Sequence, residues 1–368
     1  MSTELVLTDE QTAQRDEFVE RMLQSTAGVF DIFTIHIGDR LGFYRALASI
    51  GPLTPAELAA RTNTQERYAR EWLEQQTVSG ILEVEDAEVE ASARRFGIST
   101  AYVEVLVERD SLHYLAPLAQ LAVGVTRPLD SLLDAYRNGG GVELQEYGTD
   151  FLEGQGNINR AAFLYELGSE WLPAMPDVHE RLRSDPPARI ADFGCGVGWS
   201  SIGMAQAYPS ARVDGFDLDE PSIEAARANA RDAGLNGQVN FQVRDAGDEA
   251  LAGKYDLVTA FECIHDMSDP VSALKTMRRL VGVDGAVIVG DERVGESFTA
   301  TGNDVEWMMY GWSVLHCLPV GMADDHSVGT GTVMRAKTLR RYALEAGFRG
   351  VEVLPIDNFF FRFYRLYA

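Results

Sequence analysis

Cysteine is scarce in this chain: three in 368 residues (Cys195, Cys263 and Cys317), with no CxxC pair. That excludes a disulfide framework and points to reduced thiols. The six histidines are dispersed, so the clustered ligands of a structural zinc are missing and no metal site is expected. No apolar run reaches the roughly 18 residues that a bilayer span needs, so no membrane association is expected. The opening MSTELVLTDEQTAQRDEF is polar and acidic, unlike the basic and then apolar stretch of a secretory leader. A cytoplasmic location is the expectation. Positive charge is also in short supply: 32 Lys and Arg stand against 56 Asp and Glu, a net charge of −24. Such a surface repels phosphate backbones, because nucleic-acid affinity rests on cations that displace counterions. A small-molecule partner is therefore expected, and a nucleic acid is not.

What is present is globular material, 46% hydrophobic and long enough for two or three domains. The stretch from about Phe18 to Ile50 reads as helix, and its apolar residues exceed what one buried stripe requires. Thr54, Pro55 and Glu57 then form a capping-box start. A second helix runs from about Gln65 to Val78, ended by Ser79-Gly80. Ile81–Val84 and Gly97–Ser99 read as the strands of a wing. Helices are expected from Leu112 to about Met175, and Asp185-Pro186-Pro187 marks a boundary. Beyond it strand and helix patterns alternate, which predicts a mainly parallel sheet covered on both faces. Strands are predicted near Ile190–Phe193, Val213–Phe216, Val239–Val243, Leu257–Phe261, Ala286–Gly290, Val351–Leu354 and Phe359–Leu366.

The central motif is Asp192-Phe193-Gly194-Cys195-Gly196-Val197-Gly198, set between a strand and a helix. Glycines there let the backbone approach a ligand, and the helix beginning near Trp199 offers unpaired N–H groups. Nineteen residues beyond Gly198, at the end of the next strand, stands Asp217, placed to accept from both hydroxyls of a ribose. The dinucleotide fingerprint GxGxxG would need glycine at position 199, where Trp199 stands instead.

Residues 189 to 292 resemble the core of the class I S-adenosylmethionine-dependent methyltransferases. The resemblance implies an α/β, Rossmann-like sheet of about seven strands with the last antiparallel, and S-adenosylmethionine as cofactor. It assigns the methionine end of the cofactor to Asp192, Gly194, Cys195, Gly196 and Gly198. The ribose falls to Asp217 and the adenine to Leu218, Asp245 and Ala246. Phe261 and Glu262 are assigned to the wall beside the sulfonium.

The segment Glu262-Cys263-Ile264-His265-Asp266 resembles small-molecule O-methyltransferases, in which the His of this His-Asp pair is the general base. A hydroxyl is a poor nucleophile until its proton is removed, and an imidazole suits that task. The alternative is that His265 only caps the next helix. Asp291 matches the acid that steers such a histidine, although Asp291-Glu292-Arg293-Val294 departs from the continuation usual in plant-type members. Trp307, Met308, Tyr310 and His316 lie in a Met- and aromatic-rich insertion. They are candidates for acceptor binding, either as part of a lid or on a helix packed permanently in place.

The region from about residue 35 to 105 resembles a winged-helix domain, which opens a second reading as a DNA-binding regulator with a ligand-sensing methyltransferase-like domain. From Thr54 to Thr100 there are nine acids and five bases, the wrong balance for a DNA reader. Small-molecule O-methyltransferases use a similar domain to dimerise, so a homodimer is expected. The organisation expected is a mainly helical winged-helix dimerisation domain at 1–110, a helical linker at 111–185 and the methyltransferase domain at 186–368. The acceptor atom, whether oxygen, nitrogen or carbon, stays open.

Overall fold

The computed structural model describes residues 6–368; the first five residues of the opening read above as no leader lie outside it. The chain forms two compact units, Met1–Val123 and Gly124–Ala368. Residues 124–185, read from the sequence as linker, pack within the second unit.

In the first unit a helix spans Asp9–Leu41, started by a Thr8–Gln11 capping box and stopped at Gly42, whose φ of 73° no β-branched residue would tolerate easily. A second helix, Phe43–Ile50, follows. The single helix expected from Phe18 to Ile50 is thus two. Helices Pro55–Thr62 and Glu66–Val78 come next, and the Thr54–Glu57 capping box is formed as the sequence predicts. A small antiparallel hairpin, β1 (Glu83–Val84) and β2 (Phe96–Gly97), completes the winged helix. Phe43, Tyr44, Leu47, Leu58, Trp72 and Phe96 form its core.

The second unit carries the sheet, built from β3 (Arg189–Phe193), β4 (Arg212–Asp217), β5 (Val239–Val243), β6 (Tyr255–Phe261), β7 (Val281–Glu292), β8 (Gly350–Val353) and β9 (Phe361–Tyr367). Their order is β5-β4-β3-β6-β7-β9-β8. The strands from β3 to β7 pair in parallel, and β9 runs antiparallel to both neighbours. β3 and β6 read as nearly continuous apolar runs because helices cover both faces of a parallel sheet. One face packs Ile190, Val213, Leu257 and Ile288 on helices that include Trp199–Ala207; the other packs Ala191, Val258, Val287 and Val289 on Pro270–Leu280 and Ala336–Glu345. The order reverses between β3 and β6, and the crevice at their carboxyl ends is where ligands bind in such sheets.

Candidate functional site

The glycine loop leaves β3 at this crevice. Asp192 holds its base: the carboxylate is buried and accepts from the hydroxyls of Ser200 and Ser201 at 2.6 Å and of Thr259 at 2.8 Å. All three donors are protein groups, so Asp192 fixes the loop and the first turn of the following helix. Gly194 has φ +63° and Gly196 φ +51°. A Cβ at Gly194 would strike Cys263, whereas one at Gly196 would project into open space. The space over the Gly196 backbone is thus open. Cys195 is buried, and its backbone holds the loop: its N–H donates to the Phe216 carbonyl at 3.1 Å and its carbonyl accepts from the Gly198 N–H at 2.9 Å.

Asp217 ends β4 and braces the same loop. Its Oδ2 accepts from the Gly196 N–H at 2.8 Å and its Oδ1 from the Asp219 N–H at 2.9 Å. Burial raises its carboxyl above the usual range, against the pull of these backbone donors. Beside it Leu218 is 71% exposed, an apolar surface held out of the core at the cavity wall. Asp245 turns back on itself through Oδ1, which accepts from the Gly247 N–H at 2.7 Å. Gly194, Asp217, Leu218, Asp245 and Ala246 all line one cavity of about 730 Å³, closed on its other side by Cys263, Asp266 and Met267. The volume falls within the range typical of small-molecule sites, roughly 300–1,000 Å³.

At the end of β6 the chain turns sharply. Glu262 sits at φ +53°, an uncommon conformation for a residue with a side chain. Its N–H donates to the Gly290 carbonyl at 2.8 Å. Its carboxylate accepts from Gln155 at 3.1 Å and from Asn159. Glu292, buried at the end of β7, shares a hydrogen bond with Glu262. Burial, and then the negative charge of Glu262, push the Glu292 carboxyl well above the usual range. Burial raises the Glu262 carboxyl too, so both acids of the pair are held above the usual range. Phe261 points away into an aromatic cluster with Phe163 and Trp171.

His265 follows on a short turn, Ile264–Asp266. Its Nδ1 lies 2.9 Å from Asp291 Oδ1, and both residues are buried. Its Nε2 is 3.2 Å from Asp266 Oδ1. Burial alone would lower the imidazole pKa, but Asp266 and Asp291 outweigh it and hold the ring well above its ordinary range. Asp291 and Glu292 are neighbours in a strand, so their side chains leave on opposite faces. That is why one meets the histidine and the other meets Glu262.

The insertion after β7 begins with helix Asp304–Trp312 and continues through a π-helical turn, Ser313–Cys317. It is tied down at several points. Arg335 and Glu306 form a buried ion pair, Tyr147 donates to the Leu315 carbonyl at 2.8 Å, and the Val142 N–H reaches the Pro319 carbonyl at 3.0 Å. These contacts pack the insertion against the rest of the second unit. His316 is buried and stacked on Phe151 with centroids 4.0 Å apart, and burial pulls its pKa down to about 4. Trp307, 67% exposed, and Tyr310 lie on the outer side, with Met308 half-buried between them.

Gln155 and Asn159 gave no sequence signal, and Cys317 was visible only as a member of the Met- and aromatic-rich insertion. Gln155, in helix Gly148–Ile158, and Asn159, just past its end, reach Glu262, and Cys317 comes within 4.8 Å of the ligand atoms of His265 and Asp266. Only the tertiary fold brings them together.

Comparison with known proteins gives this geometry its class. Residues 184–326 match a family described as a methyltransferase domain, and residues 31–94 match the Rv2258c-like winged HTH domain. A ubiquinone biosynthesis O-methyltransferase of Bordetella avium is 34% identical over 179 residues, which are 47% of this chain and 68% of that protein. The same-named protein of Leptothrix cholodnii is 30% identical over 180 residues, 46% of this chain and 70% of its own. Among solved structures, the mitomycin 7-O-methyltransferase MmcR superposes with a TM-score of 0.69 at 19% identity, covering 97% of this chain and 99% of that one. Human N-acetylserotonin methyltransferase, solved in complex with S-adenosylmethionine, gives 0.67 at 17% identity over 95% and 98%. The chain belongs to the S-adenosylmethionine-dependent methyltransferases, with an N-terminal winged-helix domain.

Proposed function

We propose that this enzyme methylates a hydroxyl group of a small molecule, with His265 as general base. The observation that carries the reading is the buried Asp291–His265 pair at 2.9 Å, set behind Asp266 at the wall of the cavity. S-adenosylmethionine supplies an electrophilic methyl group on sulfur. The residues present suit it: the open face of Gly196, the Asp217 carboxylate for a ribose, and exposed Leu218 with Asp245 for an adenine. Asp192, fully engaged by three hydroxyls, positions the loop rather than touching the cofactor. Since methyl transfer from sulfur is an in-line displacement, the protein's work is alignment and removal of one proton. Asp291 fixes the ring so that Nε2 faces Asp266, past which an acceptor must reach.

An O-methyltransferase reading is supported by the names of the relatives above. The test is a screen of hydroxyl and amine acceptors with cofactor carrying a labelled methyl, read by mass spectrometry. The expected product is a methyl ether, and His265→Gln should lower turnover by about 10²–10⁴-fold while leaving product-nucleoside affinity intact. Methylation found only on nitrogen or carbon, or an unimpaired His265 variant, would overturn it. The expected apparent pKa is above the ordinary imidazole range of about 6 to 7 that the residue type alone suggests.

We further infer a cytoplasmic homodimer built by the N-terminal helices. Phe18, Met22, Val29, Phe30, Phe33 and Ile37 of helix Asp9–Leu41 are all exposed, and a patch of that size marks an interaction surface. The acidic winged helix supports this use over DNA reading.

A further inference from the structure

We propose that His265, Asp266 and Cys317 form a binding site for a thiophilic divalent cation of the zinc type. Each offers one ligand atom, and the three atoms lie within 4.8 Å of one another. The Nε2-to-Oδ1 separation of 3.2 Å matches the edge of a tetrahedral zinc site, where ligands about 2.0–2.1 Å from the metal stand roughly 3.3 Å apart. The contact is a charge pair without hydrogen-bond geometry, and among the described residues Asp266 Oδ1 accepts no hydrogen bond. A nitrogen, an oxygen and a sulfur donor together select zinc or cobalt over magnesium or calcium.

Three further features fit the same reading. Asp291 accepts from Nδ1 of His265 at 2.9 Å, the carboxylate–histidine arrangement that aims the other ring nitrogen at a metal. Cys317 sits on a π-helical turn, Ser313–Cys317, a local irregularity that is frequent at functional sites. Beside it His316 places Nδ1 3.5 Å from Cys317 Sγ and leaves Nε2 buried without a partner. An entry path exists as well, since Asp266 lines the cavity. Binding displaces the thiol proton of Cys317 and, where present, the Nε2 proton of His265, and both leave to solvent.

The consequence for turnover rests on the base reading: a metal on Nε2 and proton removal by Nε2 exclude each other, so the cation would switch the enzyme off. Metal binding itself can be tested without any acceptor. The full-length protein, stripped by a chelator, is titrated with Co²⁺ and followed by absorption, then with Zn²⁺ in calorimetry. One equivalent should bind, with a sulfur-to-cobalt charge-transfer band. Cys317→Ser should lose the band, Asp266→Asn should keep it and bind at least about 10-fold more weakly, and Asp291→Asn should weaken binding about 10–100-fold. Circular dichroism of each variant checks the fold, and Asp266→Asn, at a partly exposed side chain, serves if Cys317→Ser does not fold. No stoichiometric binding by the wild type, or a band that persists in Cys317→Ser, would overturn the proposal. Binding of the metal with no effect on turnover would sink the base reading and leave the metal site standing.

Discussion

Asp291 and Glu292 show how far a single residue's role depends on which side of a strand it leaves. Asp291 orients His265, so Asp291→Asn is expected to lower turnover less than His265→Gln, in a chelator-containing steady-state assay. An equal or larger loss would give Asp291 more than an orienting part. Burial and the charge of Glu262 hold the Glu292 carboxyl well above the ordinary range. An acid whose pKa is raised on folding costs stability as pH climbs above its unfolded value, and the cost grows until the folded value is passed. Glu292→Gln keeps a donor toward Glu262 and removes that cost. Its melting temperature should match the wild type near pH 4.5 and exceed it by several degrees at pH 8, at about 2–4 °C per kcal/mol for domains of this size. A variant less stable at both pH values would contradict the raised pKa of Glu292. The sequence offered the Asp291–His265 pairing through the resemblance, but not the Glu262–Glu292 one. Asp291 was legible from its strand end and motif, whereas Gln155, Asn159 and Cys317 carry no local pattern that foretells where the fold brings them.

At the scale of elements, what was legible followed periodicity and caps. The glycine loop between β3 and its helix, the Thr54–Glu57 capping box and the alternation from β3 to β7 all arise from short-range chemistry, and the structure has each of them. Gly42 divides the first helical stretch because its φ of 73° ends one helix while the apolar pattern runs straight on. The insertion was less legible. Its composition fits a lid as well as a packed segment, and anchors such as Glu306–Arg335 form only in the tertiary fold. The N-terminal helix bears the dimer prediction. Light scattering at micromolar concentration should find two chains per particle, and Phe18→Glu with Phe30→Glu should give monomers that keep their helix content. Wild-type protein that stays monomeric would contradict it, since such an interface should bury well over about 1,000 Å².

For the whole molecule, the net charge of −24 and the acidic winged helix predict no sequence-selective shift of DNA in a gel assay at physiological salt, because too few cations are present to release counterions. A selective shift would revive the regulator reading. The central claim, that the crevice between β3 and β6 binds S-adenosylmethionine, has a more direct test in calorimetry with S-adenosylhomocysteine. The wild type should bind one equivalent with micromolar affinity and give no heat with NAD. Gly196→Val should abolish binding, since its side chain would occupy the open space over the loop, and Asp217→Ala should weaken it strongly. No heat with the wild type, or binding of NAD in its place, would contradict the account.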